Sequence, residues 1–376
     1  MNRAVRNFGQ VFTPDNIVRE MLALKKNHGR TLEPACGDGA FMRQLGADCV
    51  GVEIQRKLGG DGRIIHADFF ARPRAEKFAT VIGNPPYVRF QDIPPATRAL
   101  LHMENFDRRS NLYLFFIDKC LDHLRDGGEL IFITPRDFFK ATCARKLNRR
   151  LFAEGAFTHC RETGDEKIFP GFSPTCAVWR WQKGRRGRTL ADGRVFRFQA
   201  GQIWFDAPGF TCKKTRTVGD VFTVKVGAVS GADRIFTNPR RGCTDFVCSQ
   251  TAKTGATRRM IYNRHDPALN RHKKILLQRR IRKFNDRNWW QWGRAYPRSP
   301  APRIYVNCKT RNESPFFLHR AAAFDGSVLA LFAKQPTDLT AALEKLNKTD
   351  WQQLGFVCGG RFLFTQRSLE NAPLDL

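Results

Sequence analysis

Residues 31–41 read Thr-Leu-Glu-Pro-Ala-Cys-Gly-Asp-Gly-Ala-Phe: a short apolar run, a turn with two glycines, and the start of a new element. A strand, a tight glycine turn and a helix in that order open an α/β fold of the nucleotide-binding type. Gly37 and Gly39 let the backbone approach a ligand closely, because neither carries a Cβ. A dinucleotide site would want G-x-G-x-x-G, so that a pyrophosphate meets the helix N-terminus. Here Gly37-Asp38-Gly39 runs on into Ala40, Phe41 and Met42, without the third glycine. The acids around the turn, Glu33 and Asp38, suit a positively charged ligand better than a pyrophosphate. S-adenosylmethionine, which carries an ammonium and a sulfonium, has that chemistry.

On both sides of the turn, strand and helix patterns alternate. IVREMLALKK before it is helix-like, and Cys49–Glu53, Ile64–Ala67 and Ala79–Gly83 read as the second, third and fourth strands. Leu112–Leu124 repeats apolar residues at three- and four-residue spacing, as a helix against a sheet does. Asp126-Gly127-Gly128 then turns into the buried-strand pattern ELIFIT, and Thr175–Trp181 is a later strand. This alternation predicts a mostly parallel sheet covered on both faces. Glycines, charge and lost periodicity across Trp181–Arg194 mark a boundary near residue 185, giving domains 1–184 and 185–376. Beyond it, VFRFQ, VFTVKVGAV and RIYVNC are short strand-like segments of a mixed α+β domain.

The strand ends carry the chemistry. Glu53 closes the second strand, where a carboxylate can accept hydrogen bonds from two ribose hydroxyls. Asp68 follows the third, where it can take an adenine amino proton while Phe69 shields a ring face. Each of these residues alone would serve equally well as a cap or turn residue. Asn84-Pro85-Pro86-Tyr87 follows the fourth strand. The same four residues would make an ordinary rigid turn, but they also answer a chemical need. The lone pair of an exocyclic amine is delocalised into its ring, which makes it a poor nucleophile. Two acceptors, the Asn84 side-chain oxygen and the Pro85 carbonyl, can hold both amino hydrogens and free that lone pair. Tyr87 offers a flat face to an unstacked base.

At this point the chain resembles the γ-class adenine-N6 DNA methyltransferases, the TaqI-like methylases of type II restriction-modification systems. Asn7-Phe-Gly-Gln-Val-Phe12-Thr13-Pro14, Glu33–Phe41 and Asn84–Tyr87 follow the order of that family's elements. The resemblance implies a class I, Rossmann-like methyltransferase domain with one antiparallel strand, followed by a target-recognition domain. It also implies that Phe12, Thr13 and Pro14 border the methionine end of S-adenosylmethionine, with Glu33, Gly37, Asp38 and Gly39 at the same cofactor. Glu53 would meet the ribose, and Asp68 and Phe69 the adenine. Asn84, Pro85 and Tyr87 would be catalytic. Within Glu166–Pro174, Phe169 would give the target base its second aromatic face, with Phe172 as the alternative. S-adenosylhomocysteine would be the product, and no metal is expected.

The chain of 376 residues carries a formal net charge of +29 and is 42% apolar, which excludes global disorder. Residues 1–180 hold 28 Lys+Arg against 21 Asp+Glu, whereas residues 181–376 hold 36 against 14. That excess points to a polyanion. Residues 271–287 contain eight Lys/Arg and one Asp, ahead of Trp289, Trp290 and Trp292. Arg279, Arg280, Arg282 and Lys283 are the expected contacts to double-stranded DNA. A helix laid over an apolar core, with the tryptophans buried, is the other reading of this tract. Eleven cysteines without a Cys-x-x-Cys pair suit free thiols in a reducing cytoplasm and give no zinc site. No membrane span or signal peptide is expected. The expected protein is a cytoplasmic monomer, separate from any restriction endonuclease. The rival activities are methylation of RNA or of a protein glutamine, and a non-enzymatic nucleic-acid-binding module is the remaining class.

Overall fold

Leu32, Val52, Val81 and Leu130 are fully buried because their strands lie side by side in the middle of one sheet. The structure is a computed structural model and describes residues 11–58, 61–164, 166, 168, 169, 175–206, 208, 216–352, 354–358 and 360–374. The sheet is built from β1 (Thr31–Glu33), β2 (Cys49–Glu53), β3 (Ile64–His66), β4 (Phe78–Gly83), β5 (Leu124–Pro135), β6 (Gly155–Glu162) and β7 (Cys176–Lys183). Their order is β3-β2-β1-β4-β5-β7-β6. The first five are parallel, and β7 runs antiparallel to both β5 and β6. This is a Rossmann-like α/β sheet of the class I methyltransferase type. The winding direction reverses between β1 and β4, where such sheets open a crevice at their carboxyl ends.

Helix α1 (Asp15–Ala23) precedes the sheet, α2 (Pro95–Ala99) follows the Asn-Pro-Pro-Tyr stretch, and α3 (Leu112–His123) packs on the sheet. α3 is more deeply buried than its one apolar stripe suggests, since every residue but Asp122 is inside. Its polar members are satisfied there. Arg150 of α4 (Arg145–Glu154) pairs with Asp118 at 3.0 Å, and Lys119 Nζ donates to the carbonyls of Phe70 and Arg72 at 2.7 and 2.8 Å.

Two points differ from the sequence reading. After the glycine turn there is only a short 3-10 segment, Met42–Gln44, which ends where Leu45 turns extended at φ −98° and ψ 147°. The compact units divide as Met1–Phe210 and Thr211–Leu376, so the boundary falls later than residue 185. The hairpin β8 (Val195–Gln199) and β9 (Gln202–Asp206) stays with the first unit. Phe196 sits 5.4 Å from Phe157, and Phe205 sits 5.0 Å from Phe139, which closes the aromatic core of that unit. The second unit is α+β. A four-stranded antiparallel sheet runs Phe222–Val226, Val328–Ala333, Arg303–Asn307 and Phe316–Phe317. A separate cluster stacks Trp292 on Phe246 at 4.8 Å. Among the described residues no helix is long and apolar enough to cross a membrane.

One buried carboxylate ties the first unit together. Glu129 of β5 is fully inaccessible and accepts from the amides of Lys26 and Asn27 (3.0 and 2.8 Å), from Thr80 Oγ1 (2.9 Å) and from Arg180 Nε (2.7 Å). Removing the cation from such a pair leaves a buried charge without its partner. Arg180→Ala should therefore destabilise the chain by about 3–5 kcal/mol, whereas Glu129→Gln should cost less. Urea unfolding followed by tryptophan fluorescence will measure both.

Candidate active site

The ends of β1, β2, β3 and β4 open into one concavity of about 960 Å3, its mouth included. Glu53 is fixed by two backbone amides. Its Oε2 accepts from Gly37 N at 2.8 Å and its Oε1 from Gln55 N at 2.9 Å. Each oxygen keeps a further lone pair for a ligand hydroxyl. Gly37 stands at φ +54°, a left-handed conformation that other side chains rarely adopt, while a Cβ there would meet the Phe12 ring at an ordinary 3.7 Å, so backbone conformation rather than space favours glycine. Phe12 itself is half exposed at the cavity and forms one of its walls.

Glu33 is buried, and its Oε2 has no hydrogen-bond partner. Burial, reinforced by the nearby Asp38 and Glu53, pushes its carboxyl well above the usual range. Asp38 is more open and pairs with Arg43 at 3.4 Å. Three acids thus gather around the Gly37 turn, an arrangement that favours a cation and disfavours a phosphate. Among the described residues no group of His, Cys, Asp and Glu is arranged for a metal ion.

Asp68 is a cap as well as a candidate ligand. Its Oδ1 accepts from Phe70 N at 2.9 Å and its Oδ2 from Thr97 Oγ1 at 2.6 Å. Phe69 lines the cavity and stacks on Phe116 at 5.1 Å, so its ring is held by α3. Thr97, Lys119 and Phe116 were not singled out from sequence. A lysine inside the apolar run Leu112–Leu121 was the available signal for Lys119. For Thr97 there was none, because its contact with Asp68 spans 29 residues of chain.

Asn84 supplies the reacting end. Its Nδ2 donates to Val11 O at 3.1 Å and to Thr13 Oγ1 at 3.2 Å. Its Oδ1 is buried without a partner, and the residue lines the cavity. The reverse amide orientation would set two acceptor oxygens against each other at Val11, so the backbone fixes which atom faces the cavity. Pro85 lines the cavity too, whereas Pro14, Gly39, Tyr87 and Phe169 do not. Pro14 caps α1 through its carbonyl, which accepts from the Ile17 and Val18 amides at 3.0 Å. Gly39 closes the turn by donating to Cys36 O at 2.8 Å.

Tyr87 donates its hydroxyl to Ile133 O at 3.0 Å, and its ring meets Phe169 edge-on at 6.2 Å. The structure brings this aromatic pair together, but Phe169 is buried and offers no open face. Residues 7–10 and Phe172, also expected near the site, lie outside the described residues.

The basic tract separates into two kinds of residue. Arg280, Arg282 and Lys283 are exposed. Arg279 is a correction to the expectation of a phosphate contact: it is only 8% exposed and donates to the carbonyls of Leu276, Ser230, Trp289 and Gln291 at 2.5–2.9 Å. Those bonds hold the loop together and leave Arg279 no open face. Trp289 and Trp292 are likewise buried.

Residues 52–169 match the family model described as Eco57I restriction-modification methylase, a stretch that includes Glu53, Asp68 and Asn84. A 190-residue stretch is 30% identical to the type II methyltransferase M.HincII of Haemophilus influenzae, covering 48% of this chain and 38% of that one. A 212-residue stretch is 32% identical to M.TthHB8I of Thermus thermophilus, covering 50% of this chain and 48% of that one. The matched stretches thus span less than half the length of either relative. Among solved structures, the type IIL restriction-modification enzyme MmeI in complex with DNA superposes with a TM-score of 0.63. That likeness covers 95% of this chain and 64% of that chain at 11% identity, and is one of fold. Over about half its length the chain is thus similar in sequence to type II DNA-modifying methyltransferases, and the similarity lies in its first unit.

Proposed function

We propose that the chain is a site-specific DNA methyltransferase that moves the methyl group of S-adenosylmethionine to N6 of an adenine flipped out of duplex DNA. The observation that carries this reading is Asn84, whose amide nitrogen is tied to Val11 and Thr13 while its oxygen is buried and unpartnered. The cofactor fits the residues present. Glu33, Asp38 and Glu53 suit its cationic amino-acid end and its ribose, and Asp68 with Phe69 suits its adenine. When bound, S-adenosylmethionine supplies an electrophilic methyl group.

The chain's own part is to prepare the amine. Asn84 Oδ1 and the Pro85 carbonyl each accept one amino hydrogen, which draws the nitrogen toward tetrahedral geometry and points its lone pair outward. The acceptors gain strength as positive charge grows on that nitrogen, so they act mainly in the transition state. No strong base is needed before the methyl group moves. Tyr87 would carry one face of the base, and a second face on Phe169 requires that ring to leave its buried place.

The same acceptor pair would serve an RNA base or a glutamine amide. The basic second half favours nucleic acid, and the description of the matching family model as a restriction-modification methylase favours duplex DNA. We place the protein in the cytoplasm as a monomer, with any cognate endonuclease a separate chain.

Asn84→Ala should cut the single-turnover rate on unmethylated genomic DNA on the order of 100-fold or more, with cofactor and DNA affinity changed far less. Mass spectrometry of the digested DNA should find N6-methyladenine with the wild-type chain. A near-normal rate for the variant would refute the mechanism.

Ionised Glu33 is the form that attracts a cation, and its carboxyl is raised. Cofactor binding should therefore release a proton, and affinity should fall as pH drops through the raised value. Glu33→Gln should flatten that dependence, as calorimetry in buffers of different ionisation enthalpy will read.

Replacing Arg280, Arg282 and Lys283 together by alanine should weaken binding to all duplexes to a similar degree. It should also make the logarithmic salt dependence shallower by about 0.9 for each phosphate that is no longer neutralised. Arg279→Ala should instead lower the unfolding midpoint. An unchanged salt slope for the triple variant would place this tract away from DNA.

A further inference from the structure

Ile281 is 42% exposed and stands between Arg280 and Arg282, with Lys283 next along the chain. Isolated apolar residues are common on protein surfaces and need no explanation. The seat beneath Ile281 is unusual. A Cβ on Gly231 would come within 2.5 Å of Ile281 Cδ1, and a Cβ on Gly293 within 2.5 Å of its Cγ2. Both places therefore accept only glycine while Ile281 keeps its position. Gly293 N donates to Val229 O at 2.9 Å, so the two halves of the seat are joined. Below the loop, Arg279 is locked by its four carbonyl partners and lies over the Phe284 ring at 3.9 Å. Arg282 covers the same ring at 5.1 Å and donates to Gln291 Oε1 at 2.7 Å.

The loop thus lays one branched apolar side chain across the two glycines and leaves its outer face, 42% of the residue, open in a field of positive charge. Among the described residues no acidic group pairs with Arg280, Arg282 or Lys283. A second copy of this chain would bring the same cations against them, whereas a polyanion complements them. Phosphate neutralisation needs only the cations and carries no sequence information. An aliphatic side chain placed between them meets the one apolar group that the major groove displays, the thymine C5 methyl.

We infer that Ile281 is a specificity-determining residue that packs against a thymine methyl group in the major groove of duplex DNA, while Arg280, Arg282 and Lys283 hold the flanking phosphates. This rests on the reading of DNA as substrate. Pre-ordering by the glycine seat lowers the entropic cost of docking, which is why a single side chain can discriminate.

The test begins by enriching a duplex from a random pool with the wild-type chain, a step that does not depend on methyl transfer. Failure to enrich any duplex would sink the DNA reading itself. With an enriched duplex in hand, Ile281→Ala should weaken binding to it about five- to twentyfold. Binding to a scrambled duplex and the salt slope should stay unchanged, while the unfolding midpoint falls modestly because the seat on Gly231 and Gly293 loses its occupant. Replacing a contacted thymine by deoxyuridine, which removes only the methyl group, should weaken the wild-type chain about fourfold and leave Ile281→Ala unaffected. Ile281→Lys should bind the scrambled duplex more tightly and lose the preference for the enriched one. Equal losses for Ile281→Ala on both duplexes, or deoxyuridine penalties that are equal in wild type and variant, would overturn the inference.

Discussion

The carboxylate of Glu129 is the constraint on which the first unit turns. It lies in the middle of the sheet, and its partners come from the segment after α1, from β4 and from β7. A charge without access to water must be met by donors of good geometry, or its burial costs several kcal/mol. Meeting it fixes the stagger of β4 on β5, docks the antiparallel strand β7, and brings the chain from α1 back against the amino-terminal parts of β4 and β5, where Asn27 Nδ2 donates to the carbonyls of Ala79 and Gly127. The carboxyl ends of β1 to β4 are thereby held side by side, and the site occupies those ends.

The site shows the opposite treatment of polar groups. Asn84 Oδ1 and Glu33 Oε2 are both buried and unpartnered, each a local cost of about 1–3 kcal/mol in a chain without ligand. Residues around them are arranged to keep them so. Val11 and Thr13 take both hydrogens of the Asn84 amide, and Asp38 and Glu53 stand close enough to Glu33 to raise its carboxyl further. Stability given up at these atoms is recovered when a ligand with the complementary donors or charge arrives, which is how such a cavity selects its occupant.

Positive charge in the second half does two different jobs that composition cannot separate. Arg279 is inside, a cross-link between four carbonyls, whereas its neighbours Arg280 and Arg282 are outside. An arginine with five donors is well suited to gathering the open carbonyls of an irregular loop, and its long apolar stem tolerates burial. The tryptophans after the tract divide in the same way, with Trp289 and Trp292 in the core and Trp290 partly open.

The sequence alone determined the sheet and its ligand-bearing ends. Apolar runs broken by Gly, Asp and Pro are local signals, so β1, β2 and β4, α3 and the turn at Gly37 were legible within a residue or two, as were the acids that follow the strands. The tertiary structure decided what those residues touch. Thr97 on Asp68, Val11 on Asn84 and Phe196 on Phe157 are contacts between distant segments, and one of them uses a backbone carbonyl that has no sequence signature. The later domain boundary has the same cause, because a hairpin with polar flanks joins the first unit only through rings supplied by other segments. Arg279 and Arg280 are identical letters in one basic run, and only the carbonyls folded around the first make it a structural residue. Charge and pattern are properties of the chain, whereas burial is a property of what packs against it.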